Sequence, residues 1–140
     1  MRSSGFDRKM NRNTNENYAL LLAKTLDGVA TLAALSKRIG DCKCEVLEAN
    51  VARLGASTVV ALHIIGTWSA IAKIETAVAK LQTDDTQIVL QRAPAKADQS
   101  NLLLYMIEVV AADRPNALHQ IAEFFQHHHI SVERMTLNRY

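Results

Sequence analysis

Residues 27–54, DGVATLAALSKRIGDCKCEVLEANVARL, and residues 113–140, DRPNALHQIAEFFQHHHISVERMTLNRY, together decide the fold. At a constant offset of 86 positions, without gaps, the second stretch repeats the chemical pattern of the first. The matched pairs are Asp27 and Asp113, Leu32 and Leu118, Leu35 and Ile121, Ile39 and Phe125, Cys44 and Ile130, Val46 and Val132, Val51 and Leu137, and Arg53 and Arg139. A register that survives through a helix, a loop and a strand indicates an internal repeat, because two unrelated amphipathic helices would share only the helical part.

The first unit opens with a strand and a helix. Residues 18–24 form a short apolar run, which predicts a buried strand. Apolar residues then recur every three or four positions from Val29 to Ile39, which predicts an amphipathic helix. We expect Gly40 to end this helix, because glycine is favoured just past a helix C-terminus.

The same unit continues with two strands, a helix and a strand. An alternating run at 44–54 and a β-branched run at 57–65 flank Gly55, which predicts a β-hairpin. Thr67 is a predicted N-cap for a second helix. The apolar face of that helix is formed by Ile71, Ile74, Val78 and Leu81. With a last strand over 86–91, residues 18–92 predict one complete βαββαβ unit of the α+β, ferredoxin-like class.

A second, incomplete unit follows a linker over residues 93–100. We predict a strand over 102–110, a helix that begins at Pro115, and a strand over 130–137. Residues 101–140 would then form the N-terminal half (βαβ) of a second unit. We expect the complete unit to extend to about residue 178, so that truncation explains the missing half better than design does. Unpaired strand edges beside an apolar face favour association, and we expect a homodimer or a higher oligomer.

Composition and charge restrict the class of protein. Apolar residues make up 49% of the 140 residues, which is enough for a hydrophobic core. The net charge of +2 lies within residues 1–17, which we predict to be a disordered tail, whereas the 12 basic and 12 acidic residues of the remainder cancel. We therefore expect no direct contact with nucleic acid, since phosphate contacts require a basic face.

The two cysteines and the lack of long apolar runs predict a cytoplasmic protein. Cys42 and Cys44 are two positions apart, and neighbours on one strand face cannot easily form a disulfide, so we expect free thiols in a reducing compartment. We find no secretory signal and no apolar run of the roughly 18 residues that a membrane helix needs, so we expect no membrane partner.

No motif in the sequence indicates a catalytic centre. The chain has no glycine-rich phosphate loop and no nucleophile elbow. His127, His128 and His129 are adjacent, and adjacent residues of a regular element cannot all face one metal ion. We therefore expect no catalytic residues, no bound metal and no cofactor.

The loop before the third helix carries a recognisable motif, Asp113-Arg-Pro-Asn-Ala-Leu118. The N–H groups at a helix N-terminus favour an anion such as a carboxylate, although Asp113 and Pro115 could instead serve only to cap and start the helix. The Asp-Arg-Pro-x-x-Leu pattern resembles the signature of the ACT domain, a βαββαβ module that senses amino acids. Residues 66–75, GTWSAIAKIE, resemble more narrowly the glycine cleavage system transcriptional repressor family, which has tandem ACT domains.

The resemblance, which covers residues 18–140, implies where a ligand would bind. In the family, an amino acid binds to the loop between the first strand and the first helix. The equivalent residues are Asp27, Gly28, Val29 and Ala30 in the first unit and Asp113, Arg114, Pro115 and Asn116 in the second. Ala30 and Asn116 stand where the family has a glycine, so neither loop keeps the family pattern intact.

The resemblance also implies a function. We expect a non-enzymatic transcriptional regulator that responds to glycine or another small amino acid. In the family, such a repressor acts through a protein partner, a DNA-bound LysR-type activator, and the neutral folded part agrees with this. Two alternatives remain open: the regulatory ACT portion of a larger metabolic enzyme, such as a deformylase or phosphatase, and a dimerisation module without a ligand.

Overall fold

The computed structural model describes residues 16–95, 101–110 and 115–138. The chain divides into two units, Met1–Ala97 and Asp98–Tyr140. The elements of the first unit are β1 (Asn17–Thr25), α1 (Gly28–Asp41), β2 (Glu45–Leu54), β3 (Ser57–Gly66), α2 (Trp68–Ala79) and β4 (Thr86–Ala93). This is the predicted element order. Asn17 and Ala93, which we assigned to the tail and the linker, belong instead to β1 and β4.

The four strands form one antiparallel sheet in the order β2-β3-β1-β4. The central strand β1 pairs with β3 from Asn17 opposite Gly66 to Thr25 opposite Thr58. Its other edge pairs with β4, from Tyr18 opposite Ala93 to Thr25 opposite Thr86. This order, with the third strand between the first and second, confirms the α+β, ferredoxin-like class.

The core lies between the sheet and the two helices of the first unit. Strand β1 alternates between buried Ala19, Leu21, Ala23 and Thr25 and more exposed Leu20 and Leu22. The buried side chains of β3 and the helices are Val60, Leu62, Ile64, Leu35, Ile39, Ile71, Ile74 and Val78. Each fully buried Leu or Ile stabilises the unit by roughly 1.5–3 kcal/mol relative to exposure. These side chains therefore stabilise the packing of the two helices against the sheet.

The C-terminus of α1 differs from the prediction. The helix runs through Gly40 to Asp41, and the residue with a positive φ is Lys43, at 65°. The Cys44 N–H donates to the Ile39 carbonyl at 3.0 Å, and the Lys43 N–H donates to the Gly40 carbonyl at 3.0 Å. This pair of bonds is a Schellman motif, which places the left-handed residue three positions later than we predicted.

Two local predictions for the first unit are confirmed. The hairpin closes with Leu54 opposite Ser57, and Gly55 has a φ of 61°. With a positive φ at Gly55 and none at Ala56, the two-residue loop has the geometry of a type II′ turn, whose first position glycine adopts without a Cβ clash. At the start of α2, the Thr67 hydroxyl accepts the Ala70 N–H at 3.1 Å, as expected of an N-cap.

In the second unit, the structure contains the predicted helix but not the predicted strands. Helix α3 (Ala117–His127) has Asn116 as its N-cap, so Pro115 precedes the helix instead of beginning it. The described residues 101–110 and 128–138 form no strand. A strand requires a hydrogen-bonded neighbour, and in the first unit β3 lies between β1 and β2.

The repeat nevertheless extends to the backbone. His129, at the offset position of Lys43, also has a positive φ, of 55°. The Ile130 N–H donates to the Phe125 carbonyl at 2.9 Å, and the His129 N–H donates to the Gln126 carbonyl at 3.2 Å. Helices α1 and α3 therefore end in the same Schellman motif, 86 positions apart. None of the helices in the described residues is long and apolar enough to cross a membrane.

Candidate functional site

A cleft of about 340 Å³ lies where β1 runs into α1. One wall comes from residues 25–34, at the end of β1 and the first turns of α1, and the other from residues 81–86, which lead into β4. The polar side chains that line it are Thr25, Asp27, Thr31, Thr83, Asp85 and Thr86. Because β1 and β4 are neighbours in the sheet, residues 47 to 61 positions apart in the sequence meet at this edge.

A cluster of three threonine hydroxyls joins the two walls. Thr25 is 1% exposed, and its Oγ1 lies 2.7 Å from Thr31 Oγ1 and 3.0 Å from Thr86 Oγ1. The same Thr25 oxygen accepts the Asp27 N–H at 3.2 Å. A buried hydroxyl without partners would cost about 1–3 kcal/mol, so this cluster is what allows a polar residue to end a core strand.

A further threonine, Thr83, stabilises the loop before β4. The Thr83 N–H donates to the Thr86 carbonyl at 2.9 Å. The Thr83 hydroxyl accepts the N–H groups of Asp85, at 3.2 Å, and Thr86, at 3.1 Å. This local turn fixes the backbone of Asp85, an exposed residue that lines the cleft.

The N-terminus of α1 forms the other wall. Asp27 is the N-cap, and its Oδ1 accepts the Ala30 N–H at 3.2 Å. The Thr31 N–H donates to the Asp27 carbonyl at 3.1 Å. By helix geometry, the N–H groups of the first two residues, Gly28 and Val29, have no acceptor within the helix. They are therefore the donors available to an anion at this end of α1.

Together, these groups could hold a small zwitterion. The N–H groups at the start of α1 favour a carboxylate, and the carboxyl groups of Asp27 and Asp85 could accept from an ammonium group. The volume is near the lower end of the roughly 300–1,000 Å³ of small-molecule pockets, which favours a small ligand. In the described residues, no group of three or more His, Cys, Asp and Glu side chains could hold a metal ion.

In sequence, the chain is 21% identical over 123 residues to the glycine cleavage system transcriptional repressor of Escherichia coli (strain K12). The repressor of the same name from Shigella flexneri matches at the same identity. Each match covers 87% of this chain, and the chain spans 65% of the length of these curated relatives. No protein-family model matches the chain.

In structure, the chain is similar to a crystal structure of a protein described as a glycine cleavage system transcriptional repressor. The TM-score is 0.63 at 14% identity, and the match covers 89% of this chain and 74% of that one. The chain resembles these repressors in sequence and in fold. Its first unit has the ferredoxin-like fold, and the two curated relatives are named as transcriptional repressors.

The structure places the predicted residues of the first ACT loop in different surroundings. Asp27 and Ala30 line the cleft. Gly28 instead packs against β3, because a Cβ added to it would lie 2.7 Å from the Thr58 side chain. The side chain of Val29 is 82% exposed and does not line the cleft. Gly28 and Val29 can therefore contribute to a site here only through their backbone N–H groups.

The second predicted loop is only partly described. Asp113 and Arg114 lie outside the described residues, while Pro115 and Asn116 are exposed. Asn116 makes no side-chain hydrogen bond as the N-cap of α3. In sequence, the positions equivalent to Thr25 and Thr31 are Ala111 and Ala117, so the threonine cluster is not repeated. The second loop remains a predicted site.

Sequence reasoning missed the threonines that join the two walls. Thr25 and Thr86 are 61 positions apart, and neither belongs to a local motif. One signal was available. Thr25 ends an apolar run at an alternating, inward-facing position, and a polar residue there requires a hydrogen-bonded partner. The sequence does not show that the partners are Thr31 and Thr86.

Proposed function

We propose that this chain is a regulatory protein that binds a small amino acid in the cleft between α1 and the loop before β4. One observation carries the proposal: the two walls of the cleft bring binding groups together. The start of α1, the Asp27 and Asp85 side chains and the threonine cluster surround one small cleft. The resemblance to the glycine cleavage repressors supports glycine as the first ligand to test.

The bound amino acid would span the two walls. Its carboxylate would accept from the N–H groups of Gly28 and Val29, because the Ala30 N–H is already bonded to Asp27. Its ammonium group would face Asp85, whose position the Thr83 turn fixes. Binding would draw the loop before β4 toward α1, which links ligand occupancy to the edge of the sheet.

A titration with a matched control tests this site. Asp85→Asn keeps the size of the side chain and removes its charge, while Asp84→Asn makes the same change at an exposed residue outside the cleft. We expect amino acids to raise the melting temperature of the wild type, and Asp85→Asn to weaken binding about 5–10-fold. Asp84→Asn should bind as the wild type does. Equal effects of the two substitutions would place the ligand elsewhere.

We further propose that regulation passes through a protein partner, a LysR-type activator, and that copies of the chain assemble as a homodimer or higher oligomer. Outside residues 1–17 the charges balance, which disfavours direct DNA binding. The free Cys42 and Cys44 agree with a reducing, cytoplasmic compartment. A mobility-shift assay tests the partner. Adding the chain should change the migration of a DNA fragment only when the activator is present. A shift of the DNA by the chain alone would contradict the proposal.

A dimerisation module without a ligand is the second candidate. It is favoured by one observation, that none of the buried side-chain nitrogen and oxygen atoms in the described residues lacks a hydrogen-bond partner. The threonine cluster is thus satisfied without a ligand. The titration decides between the two: if no amino acid stabilises the wild type at millimolar concentration, direct sensing is refuted and this candidate remains.

A further inference from the structure

Four apolar residues complete the lining of the cleft between α1 and the loop before β4. They are Leu26, Ala30, Ala34 and Leu81. The carboxylate and ammonium groups of an amino acid, as placed above, use only polar side chains and the N–H groups at the start of α1. The apolar residues are therefore available to the remaining part of the ligand, its side chain.

Ala30 and Ala34 form the apolar part of the α1 wall. They are four positions apart, so they lie on the same face of the helix, one turn after the other. At the helical rise per residue, Ala30 is about 3 Å and Ala34 roughly 9 Å along the axis from Gly28. This part of the wall thus leads away from the N–H groups that would bind the carboxylate.

Leu81 forms the apolar part of the opposite wall. It follows α2, and its N–H donates to the Val78 carbonyl at 3.0 Å. Its half-buried side chain packs against the hydrophobic core, so this wall is in place before a ligand binds. Aliphatic side chains therefore come from both walls of the cleft, as the hydroxyl groups of the threonine cluster do.

We propose that the ligand of this cleft is an amino acid with an aliphatic side chain, of the valine, isoleucine and leucine class, in preference to glycine. The inference rests on the proposed function, because it takes the carboxylate to lie at the start of α1. From there the ligand side chain runs along α1, between Ala30 and Ala34 on one wall and Leu81 on the other. The methyl group of alanine extends only to Ala30. The side chain of leucine, roughly 4 Å long from Cα to its methyl groups, approaches Ala34 as well.

A polar ligand side chain would find few hydrogen-bond partners in this part of the cleft. The Thr31 hydroxyl is bonded within the threonine cluster, and the Thr83 hydroxyl already accepts two backbone N–H groups. The side chains of Ala30, Ala34 and Leu81 have no hydrogen-bonding atoms. A ligand hydroxyl or amide group here would lose its bonds to water without full replacement, which weakens binding. The lining therefore selects by polarity as well as by size.

Burial of the ligand side chain determines the size of the preference. Complete removal of one methylene group from water tightens binding about 4-fold. Ala30 is exposed, and Ala34 and Leu81 are only half-buried, so we take half of this free energy, or roughly 2-fold per carbon atom. Leucine, with four more carbon atoms than glycine, should then bind about 10–20-fold more tightly. Glycine would leave the apolar part of this cleft of about 340 Å³ to water.

A ligand series on the full 140-residue chain tests the inference. We expect the dissociation constants from isothermal titration calorimetry to fall from glycine through alanine and valine to leucine, by about 10–20-fold in total. Threonine is the matched control for valine, because it has the same shape with a hydroxyl group in place of one methyl group. It should bind about 5-fold more weakly than valine. This order is measured on the wild type, so it does not depend on the folding of a variant.

A substitution in the apolar part of the cleft tests the same inference from the protein side. Ala34→Leu places a larger side chain there and should reduce the preference for leucine over glycine from about 10–20-fold to about 2-fold. Ala33→Leu is the matched control, because Ala33 is an exposed neighbour on α1 that does not line the cleft. It should keep the wild-type preference. The melting temperature of each variant without ligand shows whether it is folded.

The outcomes separate the inference from the proposed function. If glycine binds as tightly as leucine, or threonine as tightly as valine, the inference is overturned while amino-acid binding in the cleft stands. The same holds if a folded Ala34→Leu variant keeps the wild-type preference, or if Ala33→Leu reduces that preference equally. If no amino acid binds the wild type at millimolar concentration, the proposed function fails and the inference fails with it.

Discussion

Replacing Thr25 with Val tests whether the threonine cluster holds the two walls of the cleft together. Valine has nearly the same shape as threonine, so the change removes the hydroxyl group without opening a cavity. The lost hydroxyl accepts the Asp27 N–H at 3.2 Å and contacts the hydroxyls of Thr31 and Thr86 at 2.7 and 3.0 Å. Each bond contributes about 1 kcal/mol, but Thr31 and Thr86 are only half-buried and can bond to water instead. We therefore expect a loss of about 2 kcal/mol in the free energy of unfolding.

Urea unfolding, followed by circular dichroism, measures this change. The midpoint should fall while the dependence of the free energy on urea stays constant, since the surface exposed on unfolding is unchanged. Thr76→Val is the control. Thr76 is exposed on α2 and its hydroxyl makes one long bond, of 3.4 Å, to the Ala72 carbonyl. We expect it to change stability by less than about 0.5 kcal/mol. Equal effects of the two substitutions would refute a structural role for the cluster.

Three further predictions concern other positions. Gly28→Ala should lower the free energy of unfolding by about 1–3 kcal/mol in the same assay, because its Cβ meets the Thr58 side chain at 2.7 Å, and a neutral result would contradict that contact. Gly55→Ala should cost about 1 kcal/mol, since φ is 61° there, and an unchanged urea midpoint would argue against this turn. Burial, and secondarily the nearby Cys42 thiol, raises the pKa of Cys44 above its ordinary value of 9.0, so iodoacetamide should alkylate Cys42 first. The protonated Cys44 thiol therefore stabilises the folded state. This contribution to the free energy of unfolding should be lost as the pH rises above about 9. Cys44→Ala should abolish this pH dependence.

The sequence predicts the first unit well because its signals there are local. Alternation in β1, the glycine turn at Gly55 and the cap at Thr67 each depend on residues a few positions apart. The helix end at Gly40 was predicted wrongly because the preference for glycine is only statistical. Here Lys43 adopts the left-handed conformation, and burial of the next residue, Cys44, against the core accompanies the turn.

The site and the second unit are harder to predict because both depend on distant partners. Asp27 and Ala30 follow from the loop motif, but Thr25 meets Thr86 only because β1 and β4 pair in the sheet. The run over 102–110 has the composition of a strand and forms none in the described residues. An apolar run of this composition therefore predicts the capacity to form a strand, whereas the strand itself also needs a neighbour.

The register between β1 and β4 also determines how the first unit tolerates rewiring. Tyr18 lies opposite Ala93, so the two ends of the unit meet as neighbours at the same end of the sheet. A short turn could join them, and the chain could instead be opened at the hairpin around Gly55. The permuted order would be β3-α2-β4-β1-α1-β2, with every strand keeping its neighbours. The packing of this unit therefore does not depend on where the polypeptide chain starts, and we expect a circularly permuted chain to keep the same fold.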